Sequence, residues 1–209
     1  MLRRQFTLKL ERAEVTSPIV NRIALVIEAL EAERLLAVLD GERGPNGRDA
    51  YPNRMMWYCL VTFACPGVQT VPEGLRYLEL SEALQRLCGI ESRAWMPSKY
   101  ALYRFERRLA SHQDLLEEMF AKLVRRMAEV LPDFGQHLAT DSTKVHSLAN
   151  GKKPAADSDA SWKKYEHGYT DEAGKPRKSV VKWFGYKLHL VVEAVYELPI
   201  AALLTTARD

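Results

Sequence analysis

The stretch His137-Leu138-Ala139-Thr140-Asp141-Ser142-Thr143-Lys144-Val145 carries one acidic side chain in a run that otherwise reads as a β-strand. Asp is disfavoured in mid-strand, and a residue set against its local propensity is a candidate for chemistry. A strand carboxylate can ligate a divalent cation, and Mg²⁺ suits oxygen ligands while keeping several of its waters. Phosphodiester cleavage without a protein nucleophile takes two such ions, held by carboxylates roughly 3.5–4 Å apart. One ion activates a water or a 3′-hydroxyl and the other stabilises the leaving oxygen. Asp141 cannot hold that pair alone. Glu193 and Asp209, at or beyond the ends of later strands, are the acids that could approach it.

The surrounding charge favours a phosphate-bearing substrate. Between Ser142 and Lys187 there are ten Lys or Arg against five Asp or Glu, although the whole chain carries only +3. Cations attract phosphates and release counterions when they bind. Lys144, Lys152, Lys153, Lys163, Lys164 and Lys187 are the candidate contacts in this segment; a solvated lysine-rich loop is the plainer alternative. Trp162, Tyr165 and Tyr169 interrupt the lysines, either to stack on splayed bases or to pin the segment to the protein surface. His189 reads as a satisfied strand histidine, since no Ser or Cys nucleophile is indicated beside it. Cys59, Cys65 and Cys88 form no C-x-x-C pair and read as reduced core or near-surface thiols.

The elements that must position these groups change character along the chain. Residues 1–16 are weakly patterned and read as an arm. From Ser17-Pro18 the spacing predicts helix, with Ile19, Ile23, Val26, Ile27, Leu30, Leu35, Leu36 and Leu39 marking an apolar stripe. Residues 40–52 read as a loop, 54–64 as a buried helix stopped by Pro66-Gly67, and 73–80 and 81–88 as two short helices. Pro97-Ser98 opens a helix whose apolar positions are Leu102, Phe105 and Leu109; Lys99, Arg104, Arg107 and Arg108 lie largely off that stripe. Such a basic face could lie along DNA as a recognition helix does. A long amphipathic helix follows from Gln113 and ends at Pro132, and the linker Pro132-Asp133-Phe134-Gly135 marks the expected domain boundary. Beyond it the period becomes strand-like: 137–145 with its buried-looking Asp141, 180–192, and 198–207, the first two separated by a polar loop or subdomain at 150–179.

The ordered series T-D-S-T-K-V, W-F-G-Y-K-L-H-L-V-V-E-A and E-L-P-I-A-A-L-L-T-T-A resembles the bacterial insertion-sequence transposases of the DDE class. P-N-R-M-M-W-Y-C-L-V and M-P-S-K-Y-A-L-Y-R-F-E-R-R-L are similar to the apolar and basic helices of that family's N-terminal domain. No single motif is specific; their order and spacing, covering most of residues 17–207, carry the likeness. It implies an α+β chain: an all-α helical DNA-binding or dimerising domain at 17–131, then the first three strands of an incomplete ribonuclease-H-like mixed sheet at 136–209, with a basic insertion at 150–179. It further implies that Asp141 is the first of three acidic metal ligands, that a complete site takes Mg²⁺ or Mn²⁺, and that the partners are double-stranded DNA, at element ends and targets, and further copies of the chain. The family's second Asp and its Glu follow the third strand, so a truncated transposase, an N-terminal piece of a split gene or a deliberate fragment is expected, with little activity alone and with apolar sheet faces left uncovered. The alternatives are a non-catalytic DNA-binding regulator derived from a truncated transposase, and an unrelated helical interaction protein with a β appendage. The 11-residue apolar run 55–65 is short of the roughly 20 residues a spanning helix needs, and the first residues lack a signal-peptide pattern, so no membrane partner and a cytoplasmic location are expected.

Overall fold

A computed structural model describes residues 17–42, 51–147, 149, 151, 158–172 and 174–208. The expected arm at 1–16, Lys152, Lys153 and Asp209 lie outside them. The chain divides into two compact units, Met1–Leu123 and Val124–Asp209, so the division falls inside the last helix rather than at Pro132–Gly135.

The first unit is helical: α1 Pro18–Ala29, α2 Glu33–Gly41, α3 Asn53–Ala64, α4 Val71–Glu79, α5 Glu82–Leu87, a 3₁₀ turn Arg93–Trp95, α6 Lys99–Ala110 and α7 Gln113–Val130. The stripe read through residues 19–39 is broken in two. Glu31 takes a left-handed φ of 43°, which ends α1 and re-aims the chain before α2. Val20, Ile23 and Ile27 are buried, while Ile19 is exposed. Ser81 and Ser98 cap their helices by accepting from Leu84 N and Ala101 N. Thr70 does the same for α4 through Glu73 N. Helix α3 is the axis of the core. Nine of its twelve residues are buried, and α1, α2, α4 and α6 pack around it. Burial of each large aliphatic side chain there contributes roughly 1.5–3 kcal/mol.

A buried amide at the start of α3 ties the helices together. Asn53, 1% exposed, donates to Asp40 Oδ1 at 2.7 Å and accepts from Arg108 Nη1 at 3.1 Å. The same guanidinium donates to Leu39 O at 2.7 Å, satisfying a carbonyl near the end of α2. It also pairs with Glu42, to which His112 is bonded at 2.8 Å. The Arg108 hydrogen bond holds the Glu42 carboxyl below its ordinary range. Cys59 and Cys88 are buried free thiols; hydrogen bonding to Cys88 and burial push the Cys59 thiol well up, so it stays protonated.

The second unit holds one antiparallel sheet: β1 Leu138–His146, β2 Ser161–Thr170, β3 Pro176–Glu193 and β4 Leu198–Thr206. This corrects the expectation of three strands beginning a mixed sheet. The segment 150–179, read as a loop or subdomain, supplies all of β2 and the first residues of β3. Its polar composition hid the strand because both faces of that hairpin meet solvent, so no apolar period is required there. The 18-residue β3 organises the sheet. Its far half pairs with β1, from Leu138↔Glu193 to His146↔Gly185, and with β4, from Tyr186↔Thr206 to Glu193↔Leu198. Among the described residues its near half pairs only with β2, from Ser161↔Gly185 to Thr170↔Pro176.

Two turns set these registers. At the β2–β3 turn Asp171 exchanges backbone bonds with Gly174 and Lys175, and its side chain accepts from Lys175 N and Arg177 Nε, each at 2.9 Å. At the β3–β4 turn the fully buried Glu193 accepts from Val195 N and Tyr196 N at 2.8 Å. Leu203 and Leu204 of β4 are 63% and 54% exposed, which agrees with apolar sheet surface left uncovered.

Candidate functional site

Asp141 sits at the middle of β1, opposite Leu190 of β3. Contrary to the buried position read from the sequence, its side chain is exposed, and its Oδ1 accepts from Ser142 N at 2.7 Å. The reason is that side chains on both faces of β1 meet solvent along nearly its whole length; among the described residues β3 is the strand paired with it. Ala139, Asp141, Thr143 and Val145 share a face with Val192, Leu190, Leu188 and Tyr186. On β4 that face continues through Ala202, Leu204 and Thr206. Asp141 is therefore one anionic oxygen pair at the margin of an aliphatic field.

The period of two places Glu193 on the other side of the sheet. It pairs with Leu138 and so shares the face of Thr140, Ser142 and Lys144, not that of Asp141. The backbone plane separates the two carboxylates, and the Oε2 of Glu193 is taken up by the turn. Glu193 thus cannot complete a metal site with Asp141, and Asp209 lies outside the described residues. Among the described residues no group of three His, Cys, Asp or Glu is placed to hold a metal ion.

The candidate phosphate contacts separate into three sets. Lys144 lies on the face opposite Asp141, with its Nζ 4.9 Å from the Trp183 ring centre. Lys163 and Lys187 share that face through the pairs Lys163↔Trp183 and Lys144↔Lys187. Lys164 faces the other way, opposite Lys182, and is bonded to Glu166, whose carboxyl it holds below the ordinary range. In the helical unit, Lys99, Arg104 and Arg107 are exposed along α6, whereas Arg108 is engaged with Leu39, Asn53 and Glu42. That engagement gives Arg108 a structural role within the unit.

Sequence reasoning missed the aromatic members of the α6 surface, and in the sheet it named Trp162, Tyr165 and Tyr169 but not the rings they meet. On α6, Tyr100 and Tyr103 are 63% and 38% exposed and follow the helical spacing of Arg104 and Arg107. Lys99 Nζ lies 5.0 Å from the Tyr100 ring. In the sheet, Trp183 is stacked beneath Tyr165, with ring centres 5.4 Å apart and planes at 14°. Trp162 and Phe184 make a tilted pair on the opposite face at 5.5 Å. The alternation of aromatics and lysines was visible, but which ring met which lysine depended on the β2–β3 register. His189, read as a satisfied strand histidine, is bonded to Thr205 Oγ1 at 3.0 Å.

No protein-family model, curated protein or solved structure matches the chain. No helix of the described residues is long and apolar enough to cross a membrane.

Proposed function

We propose that the chain is part of a DDE-class DNA transposase of the insertion-sequence type. In this reading the sheet unit is the opening of a ribonuclease-H-like catalytic domain, and Asp141 is one of three acidic ligands. The observation that carries it is Asp141 itself: an exposed carboxylate at mid-strand in β1, a strand that pairs with β3, which also pairs with β4. The basic residues of α6 and of the β2–β3 hairpin support a DNA partner, because both surfaces carry lysine or arginine together with exposed aromatic rings, Tyr100 and Tyr103 on the helix and Trp162, Tyr165 and Tyr169 on the hairpin. The uncovered leucines of β4 support self-association and a homo-oligomer. A complete site would take Mg²⁺ or Mn²⁺ at Asp141 and two further acids, and would hydrolyse and transfer DNA strands in the cytoplasm. In this reading Asp141 supplies a ligand, and the basic surfaces of α6 and of the ribbon hold DNA.

A second reading, a non-catalytic DNA-binding regulator of transposase origin, is favoured by one observation. Glu193 lies across the sheet from Asp141, and no three-acid group exists among the described residues. One experiment separates the readings: duplex DNA is incubated with the chain and with Asp141→Asn, with and without Mn²⁺, and both nicking and salt-dependent binding are followed. Metal-dependent nicking lost in Asp141→Asn supports a catalytic strand-cleaving chain. Salt-sensitive binding without nicking, unchanged by the substitution, supports the regulator. Absence of any DNA affinity at low salt refutes both.

A further inference from the structure

Beyond Gly185 the pairing of β3 with β1 and β4 ends, and β2 runs on with Pro176–Phe184 as a two-stranded ribbon. A lone hairpin of this kind is marginal in water and needs strong turns, cross-strand pairs or a partner. Its turn is closed by Asp171, yet most of its side chains meet solvent. Tyr165 is 43% and Tyr169 54% exposed.

The register decides which face of the ribbon suits an anionic partner. One face carries Lys163, Tyr165, His167 and Tyr169 of β2 opposite Trp183, Val181, Ser179 and Arg177 of β3, with no Asp or Glu at any of these positions, although Arg177 is paired with Asp171 of the turn. Lys144 of β1 reaches the same face over Trp183. The other face contains Glu166, which is bonded to Lys164 and lies 3.8 Å from Lys178, so its positive charge is partly neutralised. Trp183 is only 2% exposed, and the ring stacked on it is Tyr165. A buried indole supporting a half-exposed phenol ring makes a rigid platform that has already lost its rotamer freedom. Lys163, paired opposite Trp183, is steadied by donating to Arg208 O at 2.8 Å. Cations flanking an aromatic platform match a polyanion whose bases are unstacked. Duplex DNA keeps its base faces covered, whereas a single strand offers them.

We propose that this face of the ribbon is a single-stranded-DNA-binding surface, in which an unpaired base stacks on Tyr165 while Lys144 and Lys163 hold the adjacent phosphates. The proposal rests on the reading of the chain as a DNA-handling protein and names the form of DNA that the sheet unit engages. The test is anisotropy of a labelled 12-mer of thymidylate against the full chain, with unlabelled mixed-sequence duplex of equal length as competitor. The expected result is preference for the single strand. Tyr165→Ala should weaken binding about 5- to 100-fold and Tyr165→Phe should retain it. Lys144→Gln and Lys163→Gln should each lower the slope of log affinity against log salt by about 0.7. A far-UV circular dichroism spectrum and melting curve of Tyr165→Ala matching those of the parent chain assign the loss to stacking; if that variant unfolds, the two lysine variants carry the test. Parent-like binding by Tyr165→Ala and by both lysine variants overturns the proposal. Binding of duplex but not of thymidylate also overturns it while leaving the DNA-binding reading intact, and absence of binding to either overturns both.

Discussion

Replacing Gly185 by Ala is the most direct challenge to the way the sheet unit is assembled. Gly185 lies where β3 passes from the β2 ribbon into the part flanked by β1 and β4, and its φ of +152° is one that L side chains rarely adopt. A Cβ there would stand 2.1 Å from Val145 O and 2.7 Å from Ser147 N. Those are main-chain atoms, held by the bond from Ser147 N to Phe184 O at 3.0 Å, so they cannot swing aside as a flexible side chain would. The backbone strain costs about 1–3 kcal/mol. Overpacking adds about 1–3 kcal/mol. The sum, about 2–6 kcal/mol, rivals the ~5–15 kcal/mol that keeps a typical domain folded. Because the chain has two units, a single two-state fit is inappropriate, and hydrogen exchange read amide by amide is the assay. In Gly185→Ala, protection should fall across β1, β3 and β4 while α3 keeps its own. Gly168→Ala is the internal control, since a Cβ there meets nothing within 4 Å; it should leave protection unchanged or raise it by up to about 1 kcal/mol. Equal protection in the Gly185→Ala and parent chains would refute the reasoning.

Gly74→Ala should destabilise the helical unit, because its Cβ would meet the buried Phe63 ring at 2.4 Å. Overpacking of about 1–3 kcal/mol there outweighs the ~1 kcal/mol gained in helix propensity, and Phe63→Leu should restore part of the loss in thermal melts. Arg108→Gln should lower the stability of that unit by about 1–3 kcal/mol through its lost bonds to Leu39 O and Asn53. Arg104→Gln and Arg107→Gln should leave the melt unchanged and weaken DNA binding, so equal melting of all three variants would remove the structural role given to Arg108. Lys164, first, and Lys178 depress the Glu166 carboxyl, so the stabilisation this gives the ribbon is complete above the ordinary value of 4.5 and is lost as pH falls through the depressed value. A side-chain titration of Glu166 by NMR should show a midpoint below 4.5 that rises in Lys164→Gln; an unchanged midpoint in the variant would disprove the pairing.

Local signals marked most of the helices because their causes are local. Ser81 and Ser98 cap where capping residues stood at the head of apolar periods, and Pro66-Gly67 follows the end of α3. The break at Glu31 was not legible, since the leucines of α2 extend the apolar spacing of α1 and only the backbone turn reveals two axes. The ribbon strand β2 was missed for the opposite reason. A strand wetted on both faces shows no alternation of apolar with polar residues, so its sequence looks like a loop.

Chemistry divides along the same line. Residue order by itself placed Asp141 in mid-strand, surrounded it with lysines and set aromatic rings among them, because propensity and charge are written residue by residue. Register decided the rest. It put Glu193 and Asp141 on opposite faces and set Tyr165 over Trp183 with Lys144 at its side, while helix packing drew Arg108 into its junction. A strand's side chains alternate every residue, so a shift of one position in pairing would exchange every one of those neighbours, and no stretch of the chain read alone contains that information.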